Sequence, residues 1–188
     1  MKRKTAREIL AESLRELAKT RPIDAITVRD ITENCGYSTA TFYRQFKDKY
    51  DLIAWEHAQR VAKIMAKIGV DGYTWKQTLW EGAQMFERER DYLANLLRHT
   101  SGHDAFLRYK TEINYEALKR HILQVSGRER LDDALDMVVR IYVLGTVMLS
   151  CEWILGLYPG SPEDLAEGFA QSVPTVLQAY LFQGTSKN

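Results

Sequence analysis

Residues 36–46 read GYSTATFYRQF and concentrate hydrogen-bonding side chains in a short stretch. Thr, Tyr, Arg and Gln side chains can bond to phosphate oxygens or to the edges of bases, and the small Ala40 lets a backbone approach a partner closely. Two interpretations follow. The segment is either a solvated turn between core helices or a surface that contacts a polar partner.

The elements around this segment favour the second interpretation. Apolar residues recur at helical spacing in residues 4–19. A second, short helix should begin after Thr27 and end at Gly36, and a third should begin after Ser38 or Thr39. Two short helices joined by a turn and packed behind another helix form a helix-turn-helix, which presents its second helix to the DNA major groove.

The rest of the chain is also helical in its periodicity, so the predicted fold class is all-α. Longer helices are expected at 48–68, 74–90, 91–99, 103–125, 130–157 and 162–182. Ser161 should cap the last of them, and Pro174 should kink or split it. We therefore predict a three-helix head in residues 1–50 on a larger C-terminal helical bundle in residues 51–188.

Charge is distributed unevenly along the chain. Residues 1–50 hold 11 Lys and Arg against 7 Asp and Glu, a net charge of +4. Residues 51–188 hold 15 against 18, a net charge of −3. The excess positive charge of the head fits a polyanionic partner, and double-stranded DNA is the partner that a helix-turn-helix implies.

Several side chains are placed to contact DNA on this arrangement. They are Thr27, Arg29, Thr39, Ala40, Thr41, Tyr43, Arg44, Gln45 and Lys49. Lys49 is expected to clamp a phosphate, because it stands at a helix N-terminus where free N–H groups already favour an anion. Lys2, Arg3 and Lys4 form a basic arm that can reach a neighbouring phosphate or groove.

The stretch ITVRDITENCGYSTATFYRQFKDKYDLIAW resembles the signature of the TetR family of bacterial transcriptional regulators over about residues 5–55. Thr32 replaces the usual Ala after the Ile, and Tyr37 replaces the common Val after the turn Gly. The resemblance implies a homodimer whose heads read a palindromic operator, with a body that dimerises and often binds an effector. It assigns the same nine residues to DNA contact.

A second resemblance covers parts of the body. YRQFKDKYDLIAWEH together with EWILGLYPGSPEDLAEGF is similar to the subgroup related to the dihydroxyacetone kinase regulator. This likeness does not identify a ligand.

Large side chains on the body helices are mostly expected in the core. Some of them are predicted to line an effector pocket, namely Trp80, Phe86, Tyr115, Tyr142 and Trp153. The alternative is a body that recognises a protein partner instead of a small molecule, so that the chain acts as a DNA-bound co-regulator.

Residues 130–157 and 162–182 carry more apolar surface than packing within one body needs. We predict that both segments from two subunits meet as a four-helix bundle in an isologous dimer. The predicted contacts are Val138, Tyr142, Phe169, Val173, Val176 and Leu177.

Other chemistry has little support in the sequence. Cys35 and Cys151 lack metal-ligand spacing, and His99 and His103 are separated by a Ser-Gly break, so neither metal nor cofactor is expected. No catalytic motif occurs, so we predict a non-enzymatic, cytoplasmic regulator. Repression is the preferred mode, because a dimer on an operator excludes polymerase without further parts, and activation stays open. The apolar residues 137–158 are expected inside the protein or at a subunit interface rather than in a membrane.

Overall fold

The computed structural model describes residues 4–99 and 104–182, and within these ranges the chain is helical with no β-strand. The helices are α1 (Ala6–Leu17), α2 (Val28–Asn34), α3 (Thr39–Tyr43), α4 (Lys49–Met65), α5 (Trp75–Arg88), α6 (Arg90–His99), α7 (Asp104–Ser126), α8 (Asp133–Ile154), α9 (Pro162–Gln171) and α10 (Thr175–Leu181). A short 3₁₀ helix, Ile23–Ala25, lies between α1 and α2. The predicted all-α fold with three short helices ahead of a larger body is confirmed.

Side-chain caps begin the helices of the head where the sequence predicts them. The hydroxyl of Thr27 accepts from the backbone N–H of Asp30 to start α2, and that of Ser38 accepts from Thr41 to start α3. The carboxylate of Asp48 accepts from two backbone N–H groups to start α4. These bonds satisfy donors that a helix leaves open at its N-terminus, so the boundaries are fixed locally.

The body consists of α4 to α10, in which α5 packs on α9, α7 on α8, and α4 on α7. Ser161 caps α9, and Pro174 separates α9 from α10, as predicted. The predicted boundary after residue 50 falls in the first turn of α4, which is one continuous helix from the head into the body.

Helix α8 is long and apolar enough to cross a membrane by length and composition. One side of it nevertheless lies in the protein core, where Val139, Val143 and Val147 are buried. Acidic side chains start the helix at its N-terminal cap and first turn. The core helix of a soluble protein passes the same test of length and composition, so the absence of a membrane role for this segment stays a prediction.

Candidate functional site

The turn between α2 and α3 is a Schellman motif. The N–H of Gly36 bonds to the carbonyl of Glu33 at 3.3 Å, and the N–H of Tyr37 bonds to that of Thr32 at 2.9 Å. Gly36 has a φ of 73°, a left-handed conformation that a residue without Cβ adopts without strain. The turn therefore sets the angle between α2 and α3 through its backbone.

Aromatic side chains hold α3 to the head. Phe42 and Phe46 are buried, with ring centroids 5.8 Å apart, and Phe46 packs on Trp55 of α4 at 5.6 Å. The guanidinium of Arg7 on α1 lies 5.3 Å from the centroid of the Phe46 ring. Helix α3 is only five residues long. Because these contacts bury its inner face, its other face is presented to solvent.

Most of the predicted DNA contacts lie on the exposed surface of this head. The exposed ones are Thr27, Arg29, Thr39, Ala40, Tyr43 and Arg44, and the half-buried ones are Thr41, Gln45 and Lys49. Tyr43 leaves 61% of its surface open although it is a large aromatic residue. Its position at the end of α3, beside a buried Phe42, suits a side chain that meets a partner.

Several of these polar groups also hydrogen-bond within the head. The Thr27 hydroxyl belongs to the capping box of α2 and donates to Asp30 Oδ2 at 2.6 Å. Arg44 Nη2 donates to Thr41 Oγ1 at 3.0 Å, and Arg29 pairs with Glu33 at 2.7 Å on the open surface. Exposed pairs of this kind are weak, so they leave the guanidinium groups available to phosphates.

Gln45 is oriented by α1. Arg7 Nε donates to its side-chain oxygen at 3.2 Å, and Arg7 Nη2 donates to its main-chain carbonyl at 3.2 Å. The amide oxygen accepts from Arg7, which leaves the NH₂ group of Gln45 as the donor that it can offer to another partner. The sequence did not single out Arg7, whose partner lies 38 residues away.

The structure corrects the role of Lys49. Its Nζ donates to the carbonyls of Ile23 at 2.8 Å, Asp24 at 3.0 Å and Ile26 at 2.8 Å, so all three N–H groups are used inside the head. Burial lowers the pKa of this ammonium below its usual value. The expected phosphate clamp is therefore replaced by a structural tie between α4 and the 3₁₀ segment. The signal was ambiguous, because a Lys at a helix start suits both roles.

Only part of the predicted basic arm is described. Lys4 pairs with Glu12 on α1 at 2.7 Å. Lys2 and Arg3 lie outside the described residues.

A cluster of charges joins the head to the body. Arg15 of α1 pairs with Glu56 of α4 and with Glu89 beyond α5, each at 3.1 Å. Arg60 pairs with the same two carboxylates, and the hydroxyl of Tyr92 on α6 donates to Glu56 at 3.0 Å. Burial raises the pKa of Glu56 to about 7, while Arg15 and Tyr92 act in the opposite direction.

Asn95 of α6 makes a second connection. Its Nδ2 donates to the carbonyls of Ala18 and Arg21 at 2.8 Å each, and its Oδ1 accepts from the N–H of Ile23 at 3.0 Å. One side chain of the body thus fixes the segment that follows α1. The head and the body are coupled through α4 and α6.

The body contains a cavity of about 130 Å³ among α4, α5, α7, α8 and α9. This volume is below the range of about 300–1,000 Å³ that drug-sized ligands usually occupy, so the cavity suits a smaller molecule. Most of its wall is apolar, with Val61, Leu79 and Val147 among the lining residues. Phe86 and Tyr142 line it too, and their role as effector contacts stays a prediction.

Three predicted pocket residues do not line this cavity. Trp80 is 50% exposed on the surface of α5. Tyr115 is buried away from the cavity, where its hydroxyl donates to Asp136 and the Arg140 guanidinium lies 3.9 Å from its ring centroid. Trp153 is buried elsewhere and donates to the carbonyl of Gly160 at 2.9 Å. The spacing of residues along a helix does not show whether a side chain points into the cavity, into another part of the core or to the surface.

The polar part of the wall comes from residues that the sequence did not single out. Lys110 Nζ donates to Ser150 Oγ at 2.6 Å and lies 4.5 Å from the centroid of the Phe86 ring. Asn114 Nδ2 donates to the Lys110 carbonyl at 2.7 Å and lies 3.1 Å from His57 Nε2. Burial, and then the nearby ammonium, lower the pKa of His57 to about 3, so the imidazole is neutral.

The sequence carried a signal for Lys110. The buried apolar residues Phe106, Leu118 and Ile122 on α7 are separated by multiples of four residues, and Lys110 stands in the same register. A charged residue in the core register of an amphipathic helix is rare unless it has a role.

The structure also corrects the predicted dimer contacts. Tyr142, Phe169, Val173 and Leu177 are buried within one chain, so they are core residues and leave little surface for a partner. Val138 is half-buried, whereas Val176 is 55% exposed. The open apolar stripe of α8 consists instead of Met137, Ile141, Leu144 and Met148.

Metal binding finds no geometric support among residues 4–99 and 104–182, where no three His, Cys, Asp or Glu side chains cluster. His99 ends α6, and its predicted neighbour His103 lies outside the described residues.

A three-helix head that exposes α3 through a helix-turn-helix, on an all-α body with a cavity, defines a helix-turn-helix DNA-binding protein. Residues 9–54 match the family model of the bacterial regulatory proteins of the tetR family. The head therefore carries the DNA-binding domain of the TetR family, and the chain is a DNA-binding transcriptional regulator.

Solved structures share the fold over almost the whole chain. The dihydroxyacetone kinase operon activator DhaS superposes with a TM-score of 0.65 at 16% identity, covering 93% of this chain and 97% of that one. A TetR transcriptional regulator from Rhodococcus sp. RHA1 gives 0.60 at 15% identity, covering 93% and 98%. The TetR family repressor AlkX from Dietzia sp. strain DQ12-45-1b gives 0.54 at 20% identity, covering 98% and 99%.

These likenesses establish the fold alone, so the subgroup related to the dihydroxyacetone kinase regulator stays a prediction. No curated protein matches the sequence.

Proposed function

We propose that this regulator is a cytoplasmic repressor that binds a palindromic operator as a homodimer and releases it when a small molecule occupies the body cavity. The observation that carries the proposal is the continuity of α4. This helix begins at Lys49, whose side chain is hydrogen-bonded to the 3₁₀ segment of the head, and it ends at Met65 in the cavity wall.

The geometry of α4 supports a link between cavity and head. His57 lines the cavity eight residues after Lys49, which corresponds to about 12 Å along a helix. A ligand that pushes α4 outward therefore moves the first turn of α4 and the 3₁₀ segment bonded to it. The spacing of two heads changes as a result, and a palindrome of fixed half-site spacing is no longer matched.

Dimerisation is supported by the open stripe on α8. Met137 and Ile141 are each 63% exposed, and Leu144 is 54% exposed. A contiguous apolar surface on a soluble protein marks an interaction site. A second copy of the same stripe covers it in an isologous arrangement, which also sets two heads side by side.

The cavity is partly open but small, and this favours a small molecule over a protein partner, because a peptide or a protein surface needs an extended groove. Repression is proposed because a dimer on a promoter excludes polymerase without further parts. The similar structures include both an activator, DhaS, and a repressor, AlkX. TetR family regulators are generally non-enzymatic, and the proposed function needs no catalysis, metal or cofactor.

A footprint of the purified protein on the DNA upstream of its own gene tests the operator. The expected result is a protected region with two-fold symmetry, occupied by two chains as counted by sedimentation of the complex. A low-molecular-mass extract of the host cells should then release it. Protection by a single chain without symmetry would overturn the dimer, and a complex stable to every such extract would overturn small-molecule control.

A further inference from the structure

Lys110 is the feature of the cavity that operator binding leaves unexplained. Its side chain is 3% exposed, and none of the described side chains that line the cavity is acidic. Its ammonium bonds to Ser150 Oγ, approaches Cys151 Sγ at 3.7 Å and lies over the Phe86 ring. A buried cation without a carboxylate is costly, because neutral partners replace only part of the hydration that it loses.

The neighbours of Lys110 do not supply the missing charge. His57 is neutral, since burial and then the ammonium itself lower its pKa to about 3. The amide of Asn114 directs its NH₂ group to the Lys110 carbonyl and towards His57. Burial lowers the pKa of Lys110, and an incoming anion would raise that pKa again, because it favours the charged form.

A second donor in the wall has unused capacity. The indole Nε1–H of Trp75 is buried and approaches the Tyr142 hydroxyl, but it makes no hydrogen bond of normal geometry to the described residues. Trp75 lines the same cavity. A ligand that brings oxygen acceptors therefore suits this wall better than one that brings donors.

The remaining wall determines the rest of the ligand. Ile64, Met65 and Leu118 are among the apolar residues that line the cavity, and Gly82 leaves open space where a Cβ would stand. A flexible or flat hydrocarbon body fits such a surface, since the burial of apolar groups against apolar side chains is favourable.

We infer that the cavity binds a monoanionic carboxylic acid with an apolar body, whose carboxylate pairs with the ammonium of Lys110. This inference rests on the proposed small-molecule control and names the chemical class of the effector. Lys110 then acts as the residue that selects acids over neutral compounds of the same length.

Titration without DNA tests the inference. The probes are hexanoate, octanoate, decanoate and dodecanoate, each compared with the alcohol of equal chain length, and calorimetry or tryptophan fluorescence reports binding. The wild-type protein should bind at least one acid about tenfold or more tightly than its alcohol. Lys110→Met, which keeps an apolar stem of similar length, should bring that ratio to about one.

Lys119→Met is the matched control, because Lys119 lies on the same helix and pairs with Glu116 away from the cavity. It should keep the preference of the wild type. Melting curves of both variants show that they fold. The inference is overturned if the wild type binds no acid in the series, if it binds acids no better than alcohols, or if Lys110→Met retains the preference.

The result is separable from the proposed function, because no operator is present in the titration. Release of the operator by a neutral compound, with no acid bound, would overturn this inference and leave small-molecule control standing. An acid that binds through Lys110 without releasing the operator would support the inference and contradict the proposed control.

Discussion

Arg7 on α1 holds Gln45, just beyond α3, by two hydrogen bonds of 3.2 Å, one to the side-chain oxygen and one to the main-chain carbonyl. The same guanidinium covers the Phe46 ring. A residue of the first helix thereby sets the direction of an amide on the proposed DNA-reading surface. The NH₂ group that Gln45 leaves available is a donor, which suits an acceptor on a base edge.

The first prediction concerns this pair. Gln45→Ala should cost about 1–3 kcal/mol at one base pair of the operator, and Arg7→Ala should relax preference at the same base pair because the amide loses its orientation. Selection of sites from a random library, followed by affinity measurements on single-base variants of the operator, checks both. Lys4→Ala removes the same charge from the start of the head, where only the pair with Glu12 is lost, and should return the wild-type site. A wild-type site from Arg7→Ala would contradict the proposed orientation.

The second prediction separates structural from DNA-contacting cations. Lys49→Met removes the ammonium that bonds to three carbonyls and should lower the free energy of unfolding by about 1–3 kcal/mol, measured by denaturant titration. The salt dependence of operator binding should keep its slope. Arg44→Met should leave the free energy of unfolding unchanged. It should reduce the slope of the salt dependence by about one unit, because an exposed phosphate contact is lost. A reduced slope for Lys49→Met with unchanged stability would restore the phosphate clamp.

The division between these residues shows what the sequence can and cannot predict. Helix caps at Thr27, Ser38 and Asp48 depend on neighbours within a few residues, so they were predictable. The partners of Lys49 lie 23 to 26 residues away, and only the folded head brings them within reach. Proximity of that kind does not follow from spacing along one helix.

The body illustrates the same limit on α8. Ile141 and Tyr142 are adjacent in sequence and both apolar enough for a core, yet the first is 63% exposed and the second 6%. A helix that is apolar nearly all round has two suitable faces, and its periodicity does not say which of them the same chain covers. The packing of α7 and α9 against α8 determines which face of α8 is buried, and only the fold shows this packing.

The third prediction is a pH dependence of stability that Glu56 produces. Burial raises the pKa of its carboxyl to about 7 in the folded protein, against an ordinary value near 4.5. The folded protein therefore binds this proton more tightly than the unfolded chain does. The resulting stabilisation is fully present below the unfolded pKa of Glu56 and is lost as pH rises through about 7. The free energy of unfolding should therefore fall by up to about 3 kcal/mol from this group between pH 4.5 and 7. Glu56→Gln should flatten that part of the profile, measured by urea titration at several pH values. An unchanged profile would mean that Arg15 and Arg60 keep the carboxylate ionised throughout.

The fourth prediction places the dimer contact on the open stripe of α8 together with α10. Ile141→Glu and Val176→Glu each put a charge on a side chain that a partner would cover but that its own chain leaves more than half exposed. Each should raise the dimer dissociation constant at least about a hundredfold, because an unpaired buried charge costs several kcal/mol, while the monomer stays folded. Operator binding should be lost with the dimer, although neither residue lies in the head, since one head makes only half of the contacts.

Val70→Glu, on an exposed residue between α4 and α5, is the control and should remain dimeric. Phe169→Glu is not a useful variant, because Phe169 is buried within one chain and a charge there should unfold it. Sedimentation equilibrium with circular dichroism distinguishes a folded monomer from an unfolded chain. If Ile141→Glu and Val176→Glu both sediment as folded dimers, the subunits meet on another surface, and the open stripe of α8 serves a different partner.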